Sequence, residues 1–450
     1  TTSNDNDFAA DILVASNAAF NVKGNWLMKG GAHRIASVQT SGNWGNANIG
    51  YFVNNTASSI DSSAVLSLGN PGAAGNLTLC VGYGGVGNVL TVDGGLVTNV
   101  ANLYVGIATA NGNQLIITNG GQVFSGNSGA ATPQMLIGNN AVNTNNGVIV
   151  TGSGSRWDTG TRNVVISQAR ASNFGNYLRV ADGGMVTNVG GLTVSSGGQN
   201  SYVSITNGGV VFSASGYIGN AAGASGNWGY VGGNNALWNL GRGALVIGNN
   251  SAATNNTLTL AMGGSVTNVS AITLGGVNSV LTFNGGLLAA GTNGYLIATN
   301  GTAVNPAVFV QAGGAIIDSG AFTVTNQLPM LGDPASTNGG LTKLGGGTLV
   351  LLGASTYSGT NTVSEGTLEV AGAGELGSGS TLKIAPGATV KLSANATVNA
   401  LYFGDFLQAG GTWGAPGTAG ASHTRDSFTG TGVLTVTTGA PPGGTLILLF

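Results

Sequence analysis

Leu90-Thr91-Val92-Asp93-Gly94-Gly95 and Ile116-Ile117-Thr118-Asn119-Gly120-Gly121 decide how this chain reads. Each is a short run of alternating apolar and polar residues that ends in a glycine pair. The pattern returns at Val180-Ala181-Asp182-Gly183-Gly184, Ile205-Thr206-Asn207-Gly208-Gly209, Leu260-Ala261-Met262-Gly263-Gly264, Thr282-Phe283-Asn284-Gly285-Gly286 and Val310-Gln311-Ala312-Gly313-Gly314. In four neighbouring pairs the first glycines stand 26, 25, 22 and 28 residues apart. Alternation places Leu, Ile and Val on one face of a strand and Thr, Asn and Ser on the other. A glycine pair supplies the positive φ that a sharp corner needs. A recurrence of this length holds three short strands and three turns. These features predict an all-β chain wound as a right-handed parallel β-helix, a β-solenoid with coils of about 22–32 residues. At about 4.8 Å per stacked strand, 15–18 coils would make a rod of roughly 70–85 Å.

Composition agrees and narrows the function. Glycine supplies 82 of 450 residues, above the usual share of about 7%, and without the every-third-residue period of collagen. An apolar content of 42% with a formal charge of −2 excludes disorder by charge and polarity. Twelve cations against 14 anions form no basic stripe for nucleic acid or anionic lipid. No apolar run approaches the roughly 18 residues of a membrane-spanning helix, so membrane insertion is not expected. The single cysteine, Cys80, lies in a strand-like run and reads as a buried small hydrophobe. The start at Thr1 reads as a mature end left by signal-peptide removal. Helical periodicity is nearly absent, and Phe8 to Ala19 could be either a short capping helix or strand.

A longer repeat overlies the coil. Val97-Thr98-Asn99-Val100 returns as Val186-Thr187-Asn188-Val189 and as Val266-Thr267-Asn268-Val269. Trp157 precedes Val165-Ile166 as Trp238 precedes Val246-Ile247, and Trp44 stands in the same relation to Phe52-Val53. Val97, Val186 and Val266, and likewise Trp44, Trp157 and Trp238, are therefore expected at equivalent stacking positions. Ser-Gly-Asn-Trp-Gly at 41–45 and 225–229 would pair Trp44 with Trp228 instead.

The segment from Gly339 to Val370 resembles the autotransporter-associated β-strand repeat, also called the passenger-associated transport repeat. Its hallmarks fall on Leu341, Lys343, Gly345, Gly347, Thr348, Leu349, Tyr357, Gly359, Val363, Gly366, Thr367 and Leu368. The run from Leu401 through Gly411-Thr412-Trp413-Gly414 to Val436 looks like the tail that follows such repeats in large secreted bacterial proteins. The resemblance implies export across the cell envelope, a secreted or cell-surface location and a β-helical passenger-like fold, and it carries no catalytic residues. The 80 residues after Val370 are too few for even an eight-stranded membrane barrel, so a self-contained autotransporter is not expected.

Enzymatic readings are weaker. Polysaccharide lyases and glycosidases on β-helices need close carboxylates, and the densest charged patch is Arg156-Trp157-Asp158 with Arg162, near Arg170, Arg179 and Asp182. Aligned on the tryptophan repeat, Arg156 and Asp158 correspond to Leu237 and Asn239, so only the aromatic recurs. His33 and His423 show no metal spacing. Asp93 and Asp182 precede glycine pairs where other copies carry Asn, which marks turn formation. Gly345-Gly346-Gly347-Thr348 lacks the lysine and following helix of a phosphate loop. No catalytic residue, metal or cofactor is assigned. Asn-X-Thr/Ser sequons are expected by chance in a chain this rich in Asn and Thr.

Four segments follow: an N-terminal cap with first coils at 1–85, the repetitive β-helix at 86–335, the autotransporter-like repeat coils and tail at 336–438, and a linker with a hydrophobic strand at 439–450. Solenoid ends expose unpaired strands. Thr445-Leu446-Ile447-Leu448-Leu449-Phe450, reached through Gly439-Ala440-Pro441-Pro442, is expected to dock as a donor strand on the next subunit, with folding back to cap its own coils as the alternative. The function expected is an extracellular structural protein that assembles with itself, head to tail, into fibres. A monomeric surface adhesin or passenger stalk, and a carbohydrate-active enzyme, are the alternatives. Polysaccharide or surface contact is the other partner considered.

Overall fold

The computed structural model describes residues 5–8, 12–14, 24–28, 32–35, 39–40, 44–51, 54–62, 64–68, 78–126, 134–139, 142–168, 172–377 and 379–439. They form two compact units, Thr1–Leu258 with Gly275–Ser279 and Gly301–Asn305, and Thr259–Leu274 with Val280–Asn300 and Pro306–Phe450. The boundary falls inside the segment read from sequence as repetitive β-helix. Among the described residues there is no helix, and strands stack in parallel ladders. The fold is a parallel β-helix. Asp5–Phe8 and Ile12–Val14 are strands, which settles the two readings of that stretch for the residues described.

In the first unit one turn of the chain runs Val89–Asp93, Leu96–Val100, Asn102–Ile107 and back to Gln114–Thr118. These strands belong in turn to three ladders. Val89–Asp93 stacks on Gln114–Thr118, then Gly147–Thr151, Tyr177–Ala181, Tyr202–Thr206 and Trp228–Gly232, each in parallel register. The alternate residues of this ladder, Leu90, Val92, Leu115, Ile117, Val148, Val150, Leu178 and Val180, are completely buried. Alternation thus acts as read: each coil contributes the same inward positions, and the next coil covers them.

The glycine pairs are the corner between the first two strands of the turn. Asn119, Asp182 and Asn207, the residues before them, take left-handed φ of 51°, 53° and 47°. Asn and Asp tolerate that region better than other residues with a Cβ. Asp93 accepts a hydrogen bond from Asn119 Nδ2 at 2.6 Å, and Asp182 from Thr151 Oγ1 at 3.2 Å. Both carboxylates serve the turn.

A second corner, where the chain returns to the first ladder, is built differently. Gly87, Gly112, Asn145, Gly175, Asn200, Gly226, Asn255 and Asn278 take left-handed φ there. The residue after each is Asn88, Asn113, Asn146, Asn176, Ser201, Asn227, Asn256 or Ser279, and all eight are completely buried. Their side chains form a ladder. Asn146 Oδ1 accepts from Asn113 N at 3.1 Å and from Asn113 Nδ2 at 2.8 Å, while Asn146 Nδ2 donates to Ala110 O at 2.8 Å and Asn176 Oδ1 at 3.0 Å. The same bonds join Asn88 to Asn113 and Asn227 to Asn256. Each amide supplies partners to backbone that a corner would otherwise leave unpaired.

The ladder needs room. Gly106, at φ +79°, faces Asn146, and a Cβ on it would lie 2.4 Å from Asn146 Cγ. Two coils on, Ser201 replaces asparagine and Ser167 replaces the facing glycine, their hydroxyls 2.6 Å apart. A shorter side chain on one strand admits a longer one opposite.

Asn146→Ala removes two acceptors and two donors from a dry corner, so it should lower the unfolding free energy by about 2–4 kcal/mol. Urea denaturation measures this, and an unchanged midpoint would show that the ladder contributes nothing.

Candidate functional site

The second ladder of the first unit carries one inward column: Leu66, Val97, Val123, Trp157, Val186, Val211 and Trp238 pair in succession. Val266 opens the corresponding column of the second unit, followed by Leu288, Ile317, Lys343, Val363, Ile384 and Phe403. Trp157 and Trp238 are completely buried, and each donates Nε1 to a serine one coil below, Ser125 Oγ at 3.0 Å and Ser213 Oγ at 2.9 Å. Neither presents a ring face to a sugar.

Trp44 is a correction. Its strand, Trp44–Tyr51, pairs with Gly24–Met28 and Thr78–Tyr83 in the ladder that contains Asn102–Ile107. Trp228 lies in the remaining ladder. The three tryptophan contexts therefore map to three different sheets, and Trp44 is equivalent to neither Trp157 nor Trp228. The shared local motif does not fix which sheet its tryptophan joins.

Outside the first ladder Tyr177, Tyr202 and Trp228 stack with centroids 5.2 and 4.2 Å apart and rings within 10° of parallel. Gln114 Nε2 donates to Tyr177 Oη at 3.0 Å, and the Tyr177 ring lies so close over Gly147 that a Cβ there would meet it at 2.1 Å. Both faces of Tyr202 and one face of Trp228 are spent in the stack, and one face of Tyr177 on Gly147.

The charged patch is likewise committed. Asp158 is nearly buried, and its carboxylate takes Arg156 at 2.5 Å, Asn188 Nδ2 at 2.8 Å and Gly160 N at 3.0 Å. Arg156 Nε also donates to Thr187 Oγ1 at 3.0 Å. Three donors thus hold the carboxylate in place. Among the described residues no three His, Cys, Asp or Glu side chains are grouped to hold a metal ion. His423 stacks on Trp413 with centroids 4.6 Å apart, and burial pushes the Cys80 thiol pKa far up. Thr445, Leu446, Ile447, Leu448, Leu449 and Phe450 lie outside the described residues.

The segment 341–370 departs from the coils that precede it. Its strands Leu341–Leu344, Thr348–Leu351, Thr360–Val363 and Thr367–Val370 continue two ladders. The other ladder ends at Met330–Gly332. Above that last strand the chain passes as a turn: Thr356 N donates to Met330 O at 3.0 Å, and Gly332 N to Thr356 Oγ1 at 3.1 Å. Leu352 to Gly359 has no apolar alternation, so no strand forms, and Tyr357 is buried at the vacated side. Tyr357 Oη bonds Asn361 Oδ1, while Asn361 Nδ2 donates to Leu376 O at 3.0 Å and Ser380 Oγ at 2.8 Å.

Lys343 occupies the inward column that hydrophobes fill elsewhere, and it is completely buried. Four oxygens surround its ammonium: Ser319 Oγ at 2.9 Å, Leu344 O at 2.9 Å, Gly345 O at 2.5 Å and Glu365 O at 3.1 Å. Gly345 takes a φ of +80° as it turns its carbonyl to the cation. Burial draws the lysine pKa down to about 8, and the nearby Asp318 and Glu365 carboxylates oppose the shift.

Glu375 stands in contrast. It is completely buried, and neither carboxylate oxygen has a well-aligned donor. Burial pushes its pKa up, opposed by the N–H groups of Glu375 and Gly372.

With buried Leu341, Lys343, Leu349, Tyr357, Val363 and Leu368 all turned to one interior, the segment has the anatomy of a packed solenoid coil. It matches the Passenger-associated-transport-repeat, over residues 341–370. Among solved structures the chain is similar to the crystal structure of a TibC-catalyzed hyper-glycosylated TibA fragment. Identity is 14%, the alignment covers 93% of this chain and 100% of that chain, and the TM-score is 0.36. No curated protein matches the chain.

Sequence reasoning placed the hallmark residues of this repeat but missed what they do. A lysine among 12 cations reads as surface. Only its place between Leu341 and Leu344, on the inward phase of the alternation, marks it as buried.

Lys343→Met should lower the stability of the second unit by about 2–4 kcal/mol, because the oxygens around the ammonium lose their donor. The lysine also sets a pH signature. Its pKa is lower folded, about 8, than unfolded, about 10.4, so the unfolded state holds more protons between those values. Stability should rise with pH through that window, and Lys343→Met should abolish the rise in urea titrations.

Glu375→Gln should act with the opposite sign. A carboxyl whose pKa is raised in the folded state stabilises only below its unfolded pKa of about 4.3, and that contribution is lost as pH rises through the folded value. The glutamine variant should therefore melt higher at neutral pH, with the gain vanishing below about pH 4. Calorimetry across pH checks both ends.

Proposed function

We propose that this chain is an exported bacterial passenger-type protein, a non-catalytic β-helical stalk displayed on the cell surface or released outside it. One observation carries the reading. The Passenger-associated-transport-repeat is a working coil of the second unit's solenoid, with Lys343 paired between Ile317 and Val363 in a single core column. It is not a module appended to some other domain. Its family resemblance is to exported proteins, and its distinctive residues are spent on packing. The commitment of Asp158 to Arg156, Asn188 and Gly160 supports a role without catalysis. The sparse charge supports contacts made through hydrogen bonds and shape rather than electrostatic attraction.

The second reading adds head-to-tail assembly into fibres. Phe406, 78% exposed on the last strand of its ladder, favours it, since an open apolar strand edge invites another chain. Negative-stain microscopy distinguishes long fibres from separate molecules.

Antibodies raised against the β-helix should label intact, unpermeabilised cells of the source organism or recover the protein from its medium. Retention in the cytoplasm would overturn the export reading, and sugar release that depends on Asp158 would overturn the non-catalytic one.

A further inference from the structure

The aromatic stack outside the first ladder is closed at one end and open at the other. Tyr177, Tyr202 and Trp228 occupy successive coils in register. At the closed end the Tyr177 ring lies against Gly147. At the open end Trp228 is the last ring. Thr257 N donates to Asn227 O at 2.9 Å, just as Trp228 N donates to Ser201 O at 3.0 Å. Thr257 therefore takes the place after Trp228 in the same outward row, and a threonine side chain is too small to cover an indole. Trp228 remains 36% exposed, and among the described residues its indole N–H has no acceptor.

The stack sets the shape of what fits there. Its rings stand 5.2 and 4.2 Å apart, close to the coil spacing of about 4.8 Å. A flat ring laid on the free indole face would continue the stack at the level of the next coil, beside Thr257. The groups around that place are neutral hydroxyls. Thr257 supplies one, and Tyr230 supplies another from two residues along the Trp228 strand, on the same outer face. Arg179 stands two coils back in the Tyr230 row, behind Ser204. A ligand that carries a phosphate or carboxylate would find no cation at the Trp228 level, and an uncharged one needs none.

We infer that the free face of Trp228 is a carbohydrate platform that takes a neutral pyranose with equatorial hydroxyls. Such a ring has C–H groups on its faces and hydroxyls around its rim. The C–H face suits the electron-rich face of the indole. The rim hydroxyls can accept from the indole N–H and exchange hydrogen bonds with Thr257 and Tyr230. The buried Trp157 and Trp238 offer no such face, so the platform belongs to the one tryptophan of the three that stands outside the solenoid. The site is an open surface and not a closed pocket, so the bound ring can belong to a longer chain. One ring on one open face gives a dissociation constant on the order of millimolar.

Saturation-transfer NMR on the full chain tests it, with methyl β-D-glucopyranoside and cellohexaose as probes. Both should receive saturation, most strongly at the protons on C1, C3 and C5, which share one face of the ring. Trp228→Ala should cut the transfer at least about fivefold. Thr257→Phe should cut it as well, because a phenyl ring fills the open place while Trp228 stays. The second variant decides the matter if the first does not fold, and melting curves report on both. No transfer to either probe, transfer spread evenly over the ring protons, or transfer that survives substitution in a folded variant would overturn the inference. N-acetylphenylalanine amide serves as an uncharged aromatic competitor. If it displaces the glycoside at a concentration below the glycoside's own dissociation constant, the face is a peptide platform and the sugar reading falls. Binding is read on purified protein and export on labelled cells, so either proposal can fail alone.

Discussion

A stacked parallel coil can turn only if its corners satisfy their own backbone, because the next coil covers each corner and shuts out water. Strand ladders pair their N–H and C=O groups by construction, but corners do not. In the first unit the answer is a buried asparagine, or at Ser201 and Ser279 a buried serine, one residue after each left-handed corner residue. Asn146 alone accepts from Asn113 twice and donates to Ala110 and Asn176. An amide suits this place because it carries a two-lone-pair acceptor and two donors in one plane. Its repeat is the distance from one coil to the next. The apolar columns of Leu, Ile and Val stack in register because the corners hold the register.

The second unit solves the same problem with other chemistry. Where the ladder ending at Met330–Gly332 stops, the core must close on two sheets and a turn. Tyr357 fills the vacated side, and Asn361 and Ser380 tie its hydroxyl into a polar cluster. Lys343 gathers carbonyls from its own turn and from the turn after the next coil's strand, so one cation fastens two levels. A buried ammonium is costly unless its protons are all taken, and here they are. Glu375 lacks such partners and sits in the same unit as an uncompensated burial.

What the sequence made legible follows from periodicity. Glycine pairs at intervals near one coil length revealed the corners, and alternating Leu, Ile and Val revealed the inward columns. The repeat at 341–370 was recognisable because its hallmark residues are chemically unusual for a solenoid. Three features escaped. The asparagine ladder was hidden because Asn is abundant, and buried Asn113 looks like half-buried Asn111 until the coil is closed. Lys343 looked like a solvated cation. Trp44 was misplaced because a tryptophan after a turn can enter any of three sheets, and Ser-Gly-Asn-Trp-Gly says nothing about which one. Placement of that kind depends on coil counting, which varies here because partner asparagines stand 25, 33 or 30 residues apart.

The facing pairs across the asparagine corner bear on how such a chain changes over generations. Gly106 faces Asn146, and Ser167 faces Ser201. Gly248 faces Ser279 in a third combination, and there the serine hydroxyl is left without a hydrogen-bond partner. A change in one member alters the fit of the other, and the two are more than a coil apart in sequence. Duplication or loss of a stretch that carries both partners keeps every such pair intact, whereas single substitutions break one. Stacked coils therefore favour growth and shrinkage by whole coils over residue-by-residue revision of a corner.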